Sequence, residues 1–212
     1  MHLLDKLKLR IQAWGASWLN NARKVILMKS VLTSLSVYQN SILLVQEAIH
    51  CSISRKEKGF VLKLDLANAF DRVRHSFLFA VLHKMGFNSS FINRIRSCIS
   101  NPWISPLVNG RPSDFFQASR GLRQGCPLSP LLYAIQASVL SFQLDYCQQI
   151  QTLPGLRMAY NVKDINHAQF ADDTLFLGGA SINSARTFKK ELDIYREVSG
   201  SKINYLKITI YG

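Results

Sequence analysis

The sequence predicts an α+β fold, an antiparallel sheet packed by helices, with a helical appendage at the N-terminus. Three observations point there. Phe60 to Leu66 is an apolar run with an acid, Asp65, near its end. Two shorter apolar runs, His167 to Phe170 and Thr174 to Leu177, flank Ala171-Asp172-Asp173. The stretches between these runs repeat apolar residues every three or four positions. The first pattern is that of a buried strand and the second that of a hairpin with acids at its tip. The third is helical.

Taken in order, Leu3, Leu4, Leu7, Ile11, Trp14 and Trp18 form a helical stripe, weakened by Gly15, and residues 1–38 read as helical. Residues 39–58 continue helically through Ile42, Leu43, Val45 and Ile49, before a solvated connection at Arg55 to Gly59. Ser76 to Met85 is a helix with Phe77, Leu78, Val81 and Leu82 inward, and Gly86 sits at its C-terminal stop. Phe91, Ile92, Ile95 and Ile99 mark the next helix, with Ser89 or Ser90 as its cap. Asn109-Gly110 is a hairpin turn. Gly121 to Pro130 is a loop, and a long helix follows over about 131–149. After the acid-tipped hairpin, Ser184 to Val198 is a helix closed by Gly200, and Ile203 to Tyr211 alternates as a strand does.

A hydrophobic fraction of 48% over 212 residues supports a buried core and excludes the composition of a disordered chain. The charge is one-sided, 26 Lys+Arg against 13 Asp+Glu for a net of +13, which favours a polyanionic partner. From Arg74 to Gln124 the basic residues Arg74, Lys84, Arg94, Arg96, Arg111, Arg120 and Arg123 face a single acid, Asp114. Phe87, Phe91, Trp103, Phe115 and Phe116 are interleaved with them and are expected to be mostly core. Cys51, Cys98, Cys126 and Cys147 show neither zinc spacing nor a disulfide framework, and the expectation is reduced, mostly buried thiols. Neither a secretory signal nor an apolar run of bilayer length is visible, so a soluble intracellular protein with no membrane partner is expected. The compartment, nuclear or otherwise, is not legible.

The chemistry begins with acids. Asp172 and Asp173 stand side by side between apolar runs, and Asp65 ends another. Carboxylates gathered at strand ends repel one another unless a cation joins them. Hard oxygen ligands suit Mg²⁺ or Mn²⁺. An isolated Ala-Asp-Asp is also an ordinary turn. A protease-like use of paired acids fits poorly, because Leu175 stands where a tight glycine turn belongs.

The motifs together are more specific. Phe170-Ala171-Asp172-Asp173 resembles the F-A-D-D catalytic hairpin of non-LTR (LINE-like) retrotransposon reverse transcriptases. The run from Lys63 to Val73, with Asp65 at its centre, resembles that family's first catalytic motif. Gly121 to Pro130 resembles its R-Q-G-x-P-L-S-P motif, and Ser199 to Asn204 its S-G-x-K-x-N segment. The four occur in the family's order.

The resemblance implies a right-hand polymerase palm with partial fingers over residues 39–212. It implies two Mg²⁺ (or Mn²⁺) ions, an RNA template, a DNA primer and deoxynucleoside triphosphates, with no protein partner evident. Asp65, Asp172 and Asp173 would be the metal ligands, assisted by the Leu66 carbonyl. Phe70 would crowd the sugar, Gln124 would lie against the incoming nucleotide, and Arg123 would touch template or triphosphate. Gly125 would let the loop approach the substrate, and Lys202 would protonate the leaving pyrophosphate. A core Phe70, a surface Arg123 and a solvated Lys202 are the plainer alternatives. Two departures accompany the match. Residues 1–38 resemble a segment normally found after the catalytic hairpin in plant-type elements, displaced upstream, where a fingers motif is expected. The primer grip and thumb are expected beyond Gly212. Polymerase activity is therefore expected to be low or absent, and a nonenzymatic nucleic-acid-binding remnant is the alternative.

Overall fold

The computed structural model describes residues 34–100, 102–157, 164–170 and 173–211. Of the helical segment expected over residues 1–38, residues 1–33 lie outside the described residues. So does Asp172.

Helix α1 (Ser34–Ser54) runs through residue 38 and leads into strand β1 (Gly59–Asp65). Helix α2 (His75–Lys84) and helix α3 (Ser89–Ile99) follow. A small arm comes next, made of β2 (Trp103–Ile104), β3 (Leu107–Val108), β4 (Arg111–Pro112) and β5 (Phe116–Gln117). Helix α4 (Leu128–Gln149), strands β6 (His167–Phe170) and β7 (Asp173–Gly179), and helix α5 (Ile182–Ser199) build the second half. A 3-10 turn (Tyr205–Lys207) and β8 (Thr209–Tyr211) end the described chain.

The main sheet has the order β6-β7-β1-β8, and every neighbouring pair is antiparallel. Side-chain alternation assigns its faces. Leu64 and Phe176 join the large core formed with α2, α4 and α5, which includes Leu78, Leu132, Leu140 and Tyr195. Val61 and Leu177 join the smaller cluster with Val45 and Ala48 of α1. Lys63 and Asp65 share the Val61 face by the same period of two, which sets the polar end of that face beside a covered one. Among the described residues, no helix is long and apolar enough to cross a membrane.

Most expected elements form, and four details differ. The cap of α3 is Asn88, whose side-chain oxygen accepts the Phe91 N–H at 2.8 Å, not Ser89 or Ser90. An Asn oxygen reaches that orphan donor well from the position before the first turn. Helix α4 starts at Leu128, three residues earlier than expected, with Pro130 inside its first turn, where a missing N–H leaves nothing unpaired. The expected strand over 203–211 is broken: Ile203 bridges Leu66, a 3-10 turn intervenes, and only Thr209–Tyr211 pairs with β1. The Asn204 N–H goes to the Asp65 carbonyl and the Lys207 N–H to the Asn204 carbonyl, which closes a turn there.

The fourth difference is burial. Phe87 and Phe91 are half-buried against the core, but Trp103, Phe115 and Phe116 are exposed. The strands that carry Trp103 and Phe116 are two residues long, and Phe115 precedes the second of them. The Asn109-Gly110 turn is as expected, both residues having positive φ (51° and 77°), the requirement of a tight two-residue hairpin. None of the four cysteines forms a disulfide, and they are less buried than expected: Cys147 is buried, Cys51 and Cys126 are half-buried, and Cys98 is exposed.

Candidate active site

Asp65 and Asp173 are direct partners in the β1–β7 register. Directly opposed residues of antiparallel strands project to the same face within a few ångströms of each other. The two carboxylates therefore share one end of one face, a repulsive placement without compensation. Lysines compensate. Lys63 Nζ lies 3.3 Å from Asp173 Oδ2, a diagonal pair across the ladder. Lys207 Nζ lies 3.4 Å from Asp65 Oδ1, and Asn204 Nδ2 donates to Asp65 Oδ2 at 3.0 Å. Asp65 is buried, 8% exposed, while Asp173 is open to solvent on one side.

The segment that follows Asp65 in sequence is tied to the 121–130 loop. The Gly121 N–H donates to the Val73 carbonyl and the Leu122 N–H to the Phe70 carbonyl, both at 2.8 Å. A side chain on Gly121 would sit 2.9 Å from the Asp71 carbonyl oxygen, and its φ is +96°, so only glycine permits this approach. Gln124 Nε2 donates to Asp71 Oδ1 at 3.2 Å. At the other flank, the Ala67 N–H donates to the Lys202 carbonyl at 2.8 Å, and Leu66 bridges Ile203. Hydrogen bonds thus tie the 63–73, 121–130 and 199–204 segments together.

Phe70, Gln124, Gly125, Cys126, Pro127, Ser129 and Pro130 line a cleft of about 480 Å³. Phe70 is half-buried and stacks on buried Tyr133, with ring centroids 4.8 Å apart, so it is both packed and cleft-facing. Arg123 is exposed, and its carbonyl accepts from Ser129 Oγ at 2.6 Å and from the Cys126 N–H at 3.3 Å, which shapes the loop. Gly125 has φ +80° with open space where a Cβ would be, so backbone conformation, not crowding, is its reason for being glycine. The Leu128 N–H beside Cys126 holds that thiol below its ordinary range.

The Lys202 side chain is exposed. The lysine at Asp65 is Lys207, and neither it nor the contacts of Lys63 and Asn204 with the acids are among the roles that the motifs imply. Lys63 had a signal, being two residues from Asp65 and so on its face. Lys207 had none, because the 3-10 turn brings it back from outside any strand period.

The donors fit a hard divalent cation: carboxylate oxygens from two paired strands, with the Leu66 carbonyl adjacent. Among the described residues, no cluster of three or more His, Cys, Asp or Glu could hold a metal, and the third acid of the motif, Asp172, lies outside them.

The model of the reverse transcriptase (RNA-dependent DNA polymerase) family matches residues 6–211. The chain belongs to the reverse transcriptase family. An uncharacterized mitochondrial protein of Arabidopsis thaliana is 47% identical over 68 residues, which cover 32% of this chain and 56% of that protein. The Pol polyprotein of a type-1 retrotransposable element R2 from Popillia japonica is 32% identical over 123 residues, 58% of this chain and 19% of the polyprotein. Telomerase from Candida albicans, solved in complex with a fragment of telomeric RNA, shares the fold with a TM-score of 0.57 at 16% identity, over 97% of this chain and 33% of that one. The reverse transcriptase chain spans little more than half the length of the first of these relatives and a fifth of the second.

Proposed function

We propose that this reverse transcriptase domain carries out RNA-directed DNA synthesis, joining a deoxynucleotide to a primer 3′-oxygen with loss of pyrophosphate. The single observation that carries the reading is the register pairing of Asp65 with Asp173, which sets the first-motif acid beside the turn end of the β6–β7 hairpin. Asp65, Asp172 and Asp173 would hold Mg²⁺ or Mn²⁺. A pair of such ions, when bound, favours attack by the 3′-oxygen and offsets charge on the departing phosphates.

The remaining roles belong to the chain itself. Phe70, braced by Tyr133, presents its ring to the cleft, where it would crowd a ribose 2′-hydroxyl. Gln124, held by Asp71, and the open backbone at Gly125 would receive the nucleotide. Arg123 would meet template or triphosphate, and Lys202 would supply a proton to pyrophosphate. The exposed arginines 74, 94, 96, 111, 120 and 123 would track the phosphates of an RNA template and DNA primer. We assign the polymerase unit to residues 39–212 and treat residues 1–38 as a helical appendage.

A primer-extension assay on an RNA template with Mg²⁺ or Mn²⁺ tests the reading. Weak extension by the wild-type chain that disappears in Asp172→Ala is the expected result. Nucleic-acid binding without extension under either metal would favour a nonenzymatic binding remnant.

A further inference from the structure

We propose that Asn204 and Lys207 are positioning residues for Asp65, Asn204 orienting its carboxylate and Lys207 competing with divalent cations for it. The inference rests on the metal-site reading above.

Asn204 holds Asp65 twice. Its N–H donates to the Asp65 carbonyl at 2.9 Å and its side-chain amide to Oδ2 at 3.0 Å. Backbone and carboxylate are thereby held by one residue, which removes the freedom of the Asp65 side chain to rotate. The Lys207 N–H donates to the Asn204 carbonyl at 3.1 Å, so both side chains reach the carboxylate from one closed turn. That turn is anchored on the Asp65 strand end by the Leu66–Ile203 bridge and by the Ala67-to-Lys202 hydrogen bond. The two donors divide the carboxylate, Asn204 taking Oδ2 and Lys207 taking Oδ1.

The chemistry of the two donors differs. A neutral amide orients a carboxylate and leaves its charge available to a cation. An ammonium neutralises part of that charge and repels a second cation nearby. The Lys207 side chain is 66% exposed, so it can leave Asp65 for water at little cost. Asn204 therefore favours cation binding and Lys207 opposes it. These opposite signs separate the proposal from a merely structural role, in which any loss at the turn would weaken binding.

Mn²⁺ titration of the full chain, followed by electron paramagnetic resonance without nucleotide, tests this. Asn204→Ala should weaken Mn²⁺ binding about 10-fold or more, the usual effect of removing a partner that orients a metal ligand. Lys207→Met should tighten binding about 3- to 10-fold by removing a like charge a few ångströms away. Lys207→Arg should stay near wild type. Lys207→Met alters an exposed side chain and keeps the test available if Asn204→Ala fails to fold. Asp65→Asn separates the two levels. If Asp65→Asn binds Mn²⁺ as wild type does, the metal-site reading falls and this inference with it. If Asp65→Asn loses binding while Lys207→Met leaves it unchanged or weaker, the metal site stands and the inference is overturned.

Discussion

The β1–β7 ladder and the 102–118 arm are both antiparallel ribbons built from aromatic and branched side chains. In the ladder, Leu64 and Phe176 are 1% exposed, whereas Trp103 and Phe115 of the arm are 66% and 69% exposed. Apolar content does not distinguish them; pairing length and cover do. Seven residue pairs join β1 to β7, and helices close both faces of their sheet. The two arm ribbons have two pairs each. A long, doubly covered ladder can hold two carboxylates opposite each other, because slipping the register would turn every core side chain outward. A short, uncovered ribbon has no such constraint. It can offer surface, but it cannot hold reacting groups to a fraction of an ångström.

The comparison breaks most sharply at the acids. Asp65→Asn and Asp172→Asn should each lower nucleotide incorporation by about 10²–10³-fold or more, the scale of losing a group that stabilises transition-state charge. Mn²⁺ binding should disappear with it, while the thermal melting curve stays put. Incorporation at wild-type rates in both variants would overturn the catalytic role proposed for the ladder.

Stability should show the next largest contrast. Phe176→Ala should cost about 3–5 kcal/mol in urea unfolding, as large-to-small changes in closed cores do. Trp103→Ala and Phe115→Ala should stay within about 0.5 kcal/mol, the range of surface substitutions. Equal costs would mean that the arm is covered in solution.

A smaller effect should appear in salt dependence. Arg111→Ala or Arg120→Ala should weaken binding of an RNA–DNA hybrid evenly across sequences and lower the slope of log affinity against log salt by about 0.9 each. An unchanged slope would remove these side chains from the phosphate-tracking surface.

The smallest effect is expected from Tyr195, which packs against Phe77 beneath the ladder. Burial pushes its phenol from 10 up to about 12. The folded chain therefore keeps this proton after the unfolded chain has lost it. The stabilisation is full below pH 10 and is lost as pH rises through about 12. Tyr195→Phe should flatten that alkaline limb of the stability curve, measured by denaturant titration at several pH values. A limb of the same steepness in Tyr195→Phe would assign it to other groups.

Much of this was legible from residues alone. Phe60 to Asp65 and Thr174 to Leu177 announce strands, and they place acids at the strand ends. Gly86 and Gly200 mark helix stops, with φ of 79° and 82°, and Asn109-Gly110 marks a hairpin. The four motif segments by themselves carry the family resemblance. Each of these signals is short-range: a side-chain period, a turn conformation, or a run of residues whose chemistry is needed together.

The tertiary structure decided the rest. It set Asp65 opposite Asp173 across more than a hundred residues of chain, and brought Lys207 to the Asp65 carboxylate through a turn that no strand period foretells. It also left Trp103, Phe115 and Phe116 in solvent, although their composition suggested core. The physical reason is common to all three. Periodicity says which way a side chain points from its own backbone. What it meets there depends on which distant element packs opposite, and that is settled by the burial and hydrogen-bonding of the whole chain.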